Sequence, residues 1–395
     1  MTTLAKAEIV GEILRGPDIP AKPNDLLVSI LRTRRSHGSV GDTNFRLWLN
    51  QKLKSYGAKP EIVVEGNIVV VTDAKSDTLF SCHIDTCHSK VESNGQAQDL
   101  SYDPSFGHIV LDKSKDKPGV LGADDGAGIY IMLRMIEKKV PGTYIFHVGE
   151  ECGGVGSRAY LQKSKDKLEQ FSRAIAFDRA CHAGNEPEVI CTQGGQACAS
   201  IEFGKALVAE LNKHSHKFSN DWVVSHKGTF TDTKVYRGVI NECVNLSVFY
   251  ANQHSDQEYL DVSNLESLVD VACSIKWDDL PTVRKPEDTP IYQPNAWKNK
   301  PAGDMYGYGG LYDGDLSYDK YKAPKGNKKK AKKPTLTPVS PTLSLMDEVM
   351  MFNLEELETM CVDSPETMAR LMAKLIAKNQ ALELEVQVLS TYLDT

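Results

Sequence analysis

Between about residue 25 and residue 280, short β-branched or aromatic runs alternate with segments whose apolar residues recur every three or four positions. The strand-like runs are TLFSC, TYIFHV, AIAFD and NLSVFYA, and helix-like stretches such as GAGIYIMLRMIEKK and SNLESLVDVACSIKW lie between them. A chain patterned this way folds as α/β, a mixed central sheet with helices on both faces. Ahead of these, Asn24 to Tyr56 reads as two helices broken at His37-Gly38-Ser39, and EIVVEGNIVVV as a hairpin around Glu65-Gly66. A length of 395 residues allows one large domain plus extras, or two ordinary domains.

The alternation stops near residue 280. Residues 281–345 shift to Pro, Gly, Tyr, Asp and Lys without helical or strand period, the composition of a flexible linker. Within it, residues 320–333 hold eight lysines and no acid. That run reads either as a solvated linker, the commoner meaning, or as a nucleic-acid, acidic-surface or nuclear-import patch. Residues 346–395 turn helical again, with Asn353 and Glu356 spaced as a capping box and Ser364-Pro365 placed to start a second helix. Met368, Leu375, Leu382 and Leu389 recur every seven residues, each followed by Met372, Asn379, Val386 and Leu393 four positions on. This is the seam of a coiled coil, and a homo-oligomer joined through the C-terminal helix is one reading. The other is a helical hairpin, because Leu371 and Ile376 widen the stripe.

A net charge of -7 gives no general affinity for nucleic acid. No run approaches the roughly 18 apolar residues of a membrane span, and MTTLAKAEIVGEILRG lacks the apolar core of a secretory signal. A cytoplasmic location with no membrane partner is the expectation. The nine cysteines form no CxxC pair, which favours reduced thiols over a disulfide framework.

Chemistry-bearing residues collect where the apolar runs end. FSCHIDTCH sets His83 and Asp85 just past a strand, where side chains at the carboxyl edge of an α/β sheet project into a crevice. One ring nitrogen of such a histidine can hold a metal while a nearby carboxylate orients it, although HxD alone is a weak signal. LGADDGAGI places Asp124 and Asp125 in a glycine-flanked turn at a helix start, where two capping acids are the plain alternative. TYIFHVGEECGGVGS runs a strand into Glu150 and Glu151, which repel one another unless a cation or proton intervenes. Such a pair can divide the work, one binding metal and the other acting as a general base on water. AIAFDRA ends in Asp178, and NLSVFYANQHSDQEYLD ends near His254, with Glu258 and Asp261 following. His83, Asp124, Glu151, Asp178 and His254 thus supply two imidazoles and three carboxylates, enough for two Zn2+ ions sharing one carboxylate, with Mn2+ or Co2+ as substitutes.

Residues 25–280 resemble the co-catalytic zinc exopeptidases, which include bacterial leucyl-type aminopeptidases, tripeptide aminopeptidase, glutamyl aminopeptidase and acetylornithine deacetylase. HID is similar to the family's HxD, GADDGAGI to its bridging-aspartate turn, GEECGGVGS to its paired glutamates, and FDRA and HSDQE to its last two ligand sites. The resemblance implies a phosphorylase/hydrolase-like catalytic domain over residues 1–280. It implies that His83, Glu151, Asp178 and His254 hold two zinc ions bridged by Asp124, that Asp85 orients His83, and that Glu150 is the base. It also implies a cis peptide at Asp124-Asp125 and, from GTFTDTKVY, a place for Asp232 behind the ligands. Departures are Gly126, where the family commonly has lysine or serine, and Cys82 and Cys152 beside ligands. Family members with a separate lid domain insert it between the fourth and fifth ligands, and the 76 positions from Asp178 to His254 leave no room for one.

The activity expected is that of a zinc-dependent aminopeptidase acting on a peptide or amino-acid amide. The rivals are an N-acyl amino acid or peptidoglycan amidase on the same centre, a single-zinc acyltransferase that cyclises N-terminal glutamine, and a catalytically silent scaffold.

Overall fold

The computed structural model describes residues 23–115 and 119–286. Two helices open the described residues, α1 (Asp25–Leu31) and α2 (Val40–Ser55), each started by a side chain that accepts a free backbone amide. Asn24 Oδ1 takes Leu27 N and Ser39 Oγ takes Asp42 N, both at 3.1 Å. The expected hairpin follows as β1 (Glu61–Ile62) and β2 (Ile68–Val71), antiparallel, with Glu65 and Gly66 at φ of 59° and 87° in the turn. Next come β3 (Thr78–His83), β4 (Leu100–Asp103), β5 (His108–Leu111), α3 (Ala123–Glu137) and β6 (Thr143–His147). The chain continues through α4 (Val155–Lys163), α5 (Lys165–Leu168), β7 (Arg173–Arg179) and β8 (Glu188–Ile190). A small hairpin of β9 (Thr192–Gln193) and β10 (Gln196–Ala197) precedes α6 (Ile201–Asn212), β11 (Val223–Ser225), α7 (Asp232–Val235) and β12 (Glu242–Ser247). Last are β13 (Tyr250–Ala251), β14 (Tyr259–Asp261) and α8 (Val262–Ala272).

Eight strands form a mixed sheet in the order β1-β2-β6-β3-β7-β12-β8-β11, so the α/β fold expected from the sequence is the one observed. Its centre, β6, β3, β7 and β12, is parallel, while β2 and β8 join antiparallel. Successive strand residues face opposite sides, and both sides are covered. Phe80, Cys82, Tyr144, Phe146, Ile175, Phe177, Val244 and Leu246 pack with residues of α1, α2, α3, α6 and α8. Leu79, Ile145, Ala174 and Cys243 pack on the other side with Tyr160, Leu161, Leu168 and Tyr236. Both-sided burial explains why these strands read as continuous apolar runs rather than as alternating ones. Helix α3 is buried on nearly every side, Arg134 being the half-exposed exception within its first fourteen residues.

NLSVFYA was expected to form one strand, and it forms two. The pairing of β12 with β7 shifts between Leu246 and Ser247, and Phe249 takes a left-handed φ of 67°. The chain there leaves the large sheet and enters a second, antiparallel sheet ordered β13-β14-β5-β4. That change of sheet carries the turn bearing His254 over the carboxyl edge of the large sheet. Between Asp178 and His254 the chain adds β8, β11 and β12 to the same large sheet.

The linker was expected to begin at Pro281, but Val283 N and Arg284 N both donate to Glu242 Oε1 at 2.8 Å. Arg284 also donates to the carbonyls of Arg237, Ile240 and Asn241, so the packed unit runs through Arg284. The rest of the linker, its lysine run and the heptad-patterned tail lie outside the described residues. Among the described residues no helix is long and apolar enough to cross a membrane, and all eight cysteines are free.

Candidate metal centre

Strands β6, β3 and β7 are adjacent and parallel, so their carboxyl ends stand side by side about 4.8 Å apart. This places His83 at the end of β3, Glu150 and Glu151 just beyond β6, and Asp178 near the end of β7. Asp124 arrives from the first turn of α3, and His254 from the turn between β13 and β14. These six residues, all singled out from the sequence, are thereby brought to one edge of the sheet, and Asp85 follows two residues after His83.

Asp124 sits between the two histidines. His83 Nε2 lies 3.0 Å from Asp124 Oδ1, and His254 Nε2 lies 3.2 Å from Asp124 Oδ2. The His83 ring is also 3.6 Å from Asp178 Oδ1, and the His254 ring is 2.9 Å from Glu151 Oε1. Two clusters result, His83 with Asp124 and Asp178, and His254 with Glu151 and Cys87, the ligand atoms within each lying inside 4.8 Å of one another. His254 is 49% exposed on its side chain whereas that of His83 is 1% exposed, so the site opens to solvent on the His254 side.

The surrounding loops are held by buried polar groups. His83 Nδ1 is 2.9 Å from the carbonyl oxygen of Asp85, whose own carboxylate is farther off at 3.8 Å. That carboxylate instead accepts Glu150 N at 3.1 Å and Glu151 N at 3.2 Å, so Asp85 orients His83 through its main chain and the paired glutamates through its side chain. Asp125, fully buried beyond the cis Asp124-Asp125 peptide, accepts His83 N and Gly128 N. Glu258 accepts the amides of Leu121, Gly122 and Asp124 at 2.8 to 3.0 Å and fixes the turn that presents Asp124. Tyr250 donates its hydroxyl to Asp178 Oδ1 at 3.1 Å.

Arg35, fully buried, donates to the carbonyls of Ile84 (2.6 Å), Gly122 (3.0 Å), Ile30 and Thr33 (both 3.1 Å). It ties the loop after His83 to the loop before Asp124. Arg35→Met keeps length and much of the volume but removes this donor; the Ile30 and Gly122 carbonyls keep backbone donors, so the cost falls on those of Ile84 and Thr33, at about 1–3 kcal/mol for each buried group left unsatisfied. The expected result is a stability loss of about 3–5 kcal/mol in urea denaturation, and a loss below about 1 kcal/mol would show the clamp to be dispensable.

Electrostatically the site holds more acid than its own cations can balance. Burial pushes the Glu150 carboxyl well up, an effect that His83 opposes and that Asp178, Asp232 and Glu151 reinforce. Burial raises Asp125, Asp178 and Glu151 as well. Asp232, 1% exposed and with Oδ1 lacking a hydrogen-bond partner, is pushed up by burial to about 7, and Glu258 likewise to about 7. Burial works against ionisation of Asp124 too, yet bonds from His254 and His83 hold its carboxyl far below the usual range. His254 is raised, chiefly by Asp124, then by Cys87 and Glu151. Burial lifts the Cys87 thiol to about 12. A buried crowd of carboxylates facing two imidazoles is the donor chemistry that divalent cations satisfy, and the residues present fit two of them.

Four contributors carried no assigned role in the sequence reading. Arg35, Glu258 and Asp125 position the site through backbone groups distant in sequence, at Ile84 and Gly122, at Leu121 to Asp124, and at His83; only the bond of Asp125 to Gly128 N matches the capping reading of the sequence. Cys87 lies within the FSCHIDTCH segment, and only the approach of His254 distinguishes it from a buried small residue.

No protein-family model and no curated protein matches the chain. Solved structures do. The TET1 peptidase of Pyrococcus horikoshii is 17% identical over 63% of this chain and 98% of its own, with a TM-score of 0.47. Aminopeptidase APDkam598 of the archaeon Desulfurococcus kamchatkensis is 15% identical over 65% and 94%, with a TM-score of 0.49. Aminopeptidase PepT of Bacillus cereus is 17% identical over 63% and 95%, with a TM-score of 0.46.

Proposed function

We propose that the chain is a two-metal amide hydrolase of the aminopeptidase type. The observation that carries this reading is the placement of the two Asp124 oxygens, one toward His83 and the other toward His254. His83, Asp124 and Asp178 would hold one ion, and His254, Asp124 and Glu151 the other, zinc being the best match to this N/O set. When bound, two such cations supply polarisation of an amide carbonyl and a water pKa lowered toward roughly 7.

The chain's own residues supply the rest. Glu150 belongs to neither ligand cluster and its backbone is pinned by Asp85; with the neighbouring acids neutralised by bound cations its carboxylate would be ionised and able to take a proton from water as the oxygen attacks the amide carbon. Burial favours the protonated form of Glu150 so formed, which then delivers the proton to the departing amine nitrogen. Water adds across the C–N bond, and the glutamate returns to its starting state. The return of the Asp178–His254 segment to the main sheet, without a lid domain, supports an aminopeptidase over the lid-bearing deacetylases.

The test uses full-length protein loaded with zinc, assayed on free-amine and N-blocked amino-acid amides while bound metal is counted. Two metals per chain and cleavage of free-amine substrates are expected. Cleavage confined to N-blocked substrates would reassign the centre to an amidase, and no bound metal after metal-replete purification would favour the scaffold.

A further inference from the structure

We infer that Cys87 is a thiolate ligand of the ion held by His254 and Glu151, which makes the two halves of the centre chemically unequal. The inference rests on the two-metal reading above and deepens it. Three observations carry it, the first being that Cys87, Glu151 and His254 come from three separate loops, yet their ligand atoms lie within 4.8 Å of one another. The second is that His254 Nε2 already lies 2.9 Å from Glu151 Oε1 and 3.2 Å from Asp124 Oδ2, so the thiol joins a donor set that converges on one point. The third is the rigidity of the segment that bears the thiol.

Thr86 and His88, on either side of Cys87, are 2% and 7% exposed. Thr86 Oγ1 bonds His88 Nδ1 at 2.7 Å, His88 Nε2 bonds Gln98 Oε1 at 3.0 Å, and Gln98 Nε2 donates to the carbonyls of Leu31 and Leu121 at 2.7 Å. Thr86 N donates in addition to Arg35 O. The two neighbours are anchored in a buried polar network, and the half-buried thiol between them is held beside the acids and imidazole of the site.

The His83 half offers one imidazole nitrogen and carboxylate oxygens. The His254 half offers the same donors plus sulfur, a set that zinc and cobalt(II) bind well. Counting Asp124 with both halves, the His254 half would offer an ion four protein donors and the His83 half three. Forming the metal–sulfur bond releases the thiol proton to solvent, so uptake of this ion liberates one proton more than it would without Cys87.

Cobalt(II) titration of the full-length protein tests this. Cobalt bound by sulfur shows an intense near-ultraviolet charge-transfer band that nitrogen and oxygen ligands do not produce, while visible d–d absorption reports binding of either kind. Wild-type protein is expected to show both. Cys87→Ala should lose the charge-transfer band, keep d–d absorption, and bind one of its two cobalt ions roughly 10-fold or more weakly. Cys87→Ser, closer in size, should behave alike, and both should match wild-type circular dichroism before metal is added. Cys152→Ala, which removes the exposed thiol next to Glu151, should leave the band unchanged. Cobalt binding with d–d absorption but no charge-transfer band in the wild type, or a band surviving in Cys87→Ala, would overturn the Cys87 assignment alone. Absence of any cobalt absorption would overturn the two-metal reading itself, and the ligand with it.

Discussion

Glu150→Gln is expected to lower kcat on amide substrates by about 10²–10⁴-fold while both metals stay bound. Glutamine keeps the shape of the side chain but cannot take a proton from water or hold one for the leaving amine. Ligand geometry should survive, because Glu150 is not among the atoms clustered around either histidine, and its loop is fixed by backbone donation to Asp85 Oδ1 at 3.1 Å. The contrast is Glu151→Gln, which weakens an oxygen 2.9 Å from His254 Nε2 and should lower metal content first and activity as a consequence. Measuring bound metal beside kcat separates the two roles. A Glu150→Gln enzyme within a few-fold of wild type, or one that has lost both ions, would remove the division of labour between the paired glutamates.

The legibility of this chain follows from where its information is local. Strands buried on both faces, such as Thr78–His83 and Thr143–His147, are buried at every position and show no polar–apolar alternation, so their apolar residues are visible as short runs. The second sheet is built from strands of two to four residues, and LSYD or YLD acquires its identity only by pairing with segments far away in sequence. The same divide separates the site residues. His83, Glu151 and Asp178 are polar groups at the ends of apolar runs, a contrast legible in a single sequence. Arg35 acts by reaching carbonyls at positions 30, 33, 84 and 122, and Glu258 by capping amides at 121, 122 and 124. Neither function leaves a trace in the residues next to it. NLSVFYA looked like one strand because β-branched and aromatic residues continue through the break, and the left-handed Phe249 has no glycine to announce it.

Removing the metals should lower stability and reverse its dependence on pH. A ligand present at about 1,000 times its Kd stabilises by about 4 kcal/mol, and a unit of this size loses about 2–4 °C of Tm per kcal/mol, so chelation is expected to cost about 8–16 °C at pH 8. The pH effect comes from buried acids that then lack cations. Asp232 and Glu258 have folded-state pKa values raised by burial to about 7, against ordinary values of 3.8 and 4.5. A group raised on folding stabilises fully below its unfolded pKa, and that contribution is lost as pH rises through the folded value. The window for these two is therefore about pH 4 to 7.5. Between pH 8 and pH 6.5 each should regain roughly 0.8 kcal/mol as it takes up its proton, and Asp125 and Glu150, also raised by burial, contribute in the same direction. Buried His88 and His147 work the other way, since burial lowers them to about 4 and about 3, but their penalty develops mainly as pH falls below their ordinary value of 6.5. Comparing pH 8 with pH 6.5 limits their penalty to about 0.4 kcal/mol each, roughly half of what each of the two acids regains. Chelated protein should therefore melt several degrees higher at pH 6.5 than at pH 8, whereas metal-loaded protein, whose ligands must be deprotonated, gains nothing from the added acid. Scanning calorimetry at the two pH values decides the matter. Equal melting temperatures for the chelated protein would mean that the acids around Asp124 are neutralised by something other than bound cations.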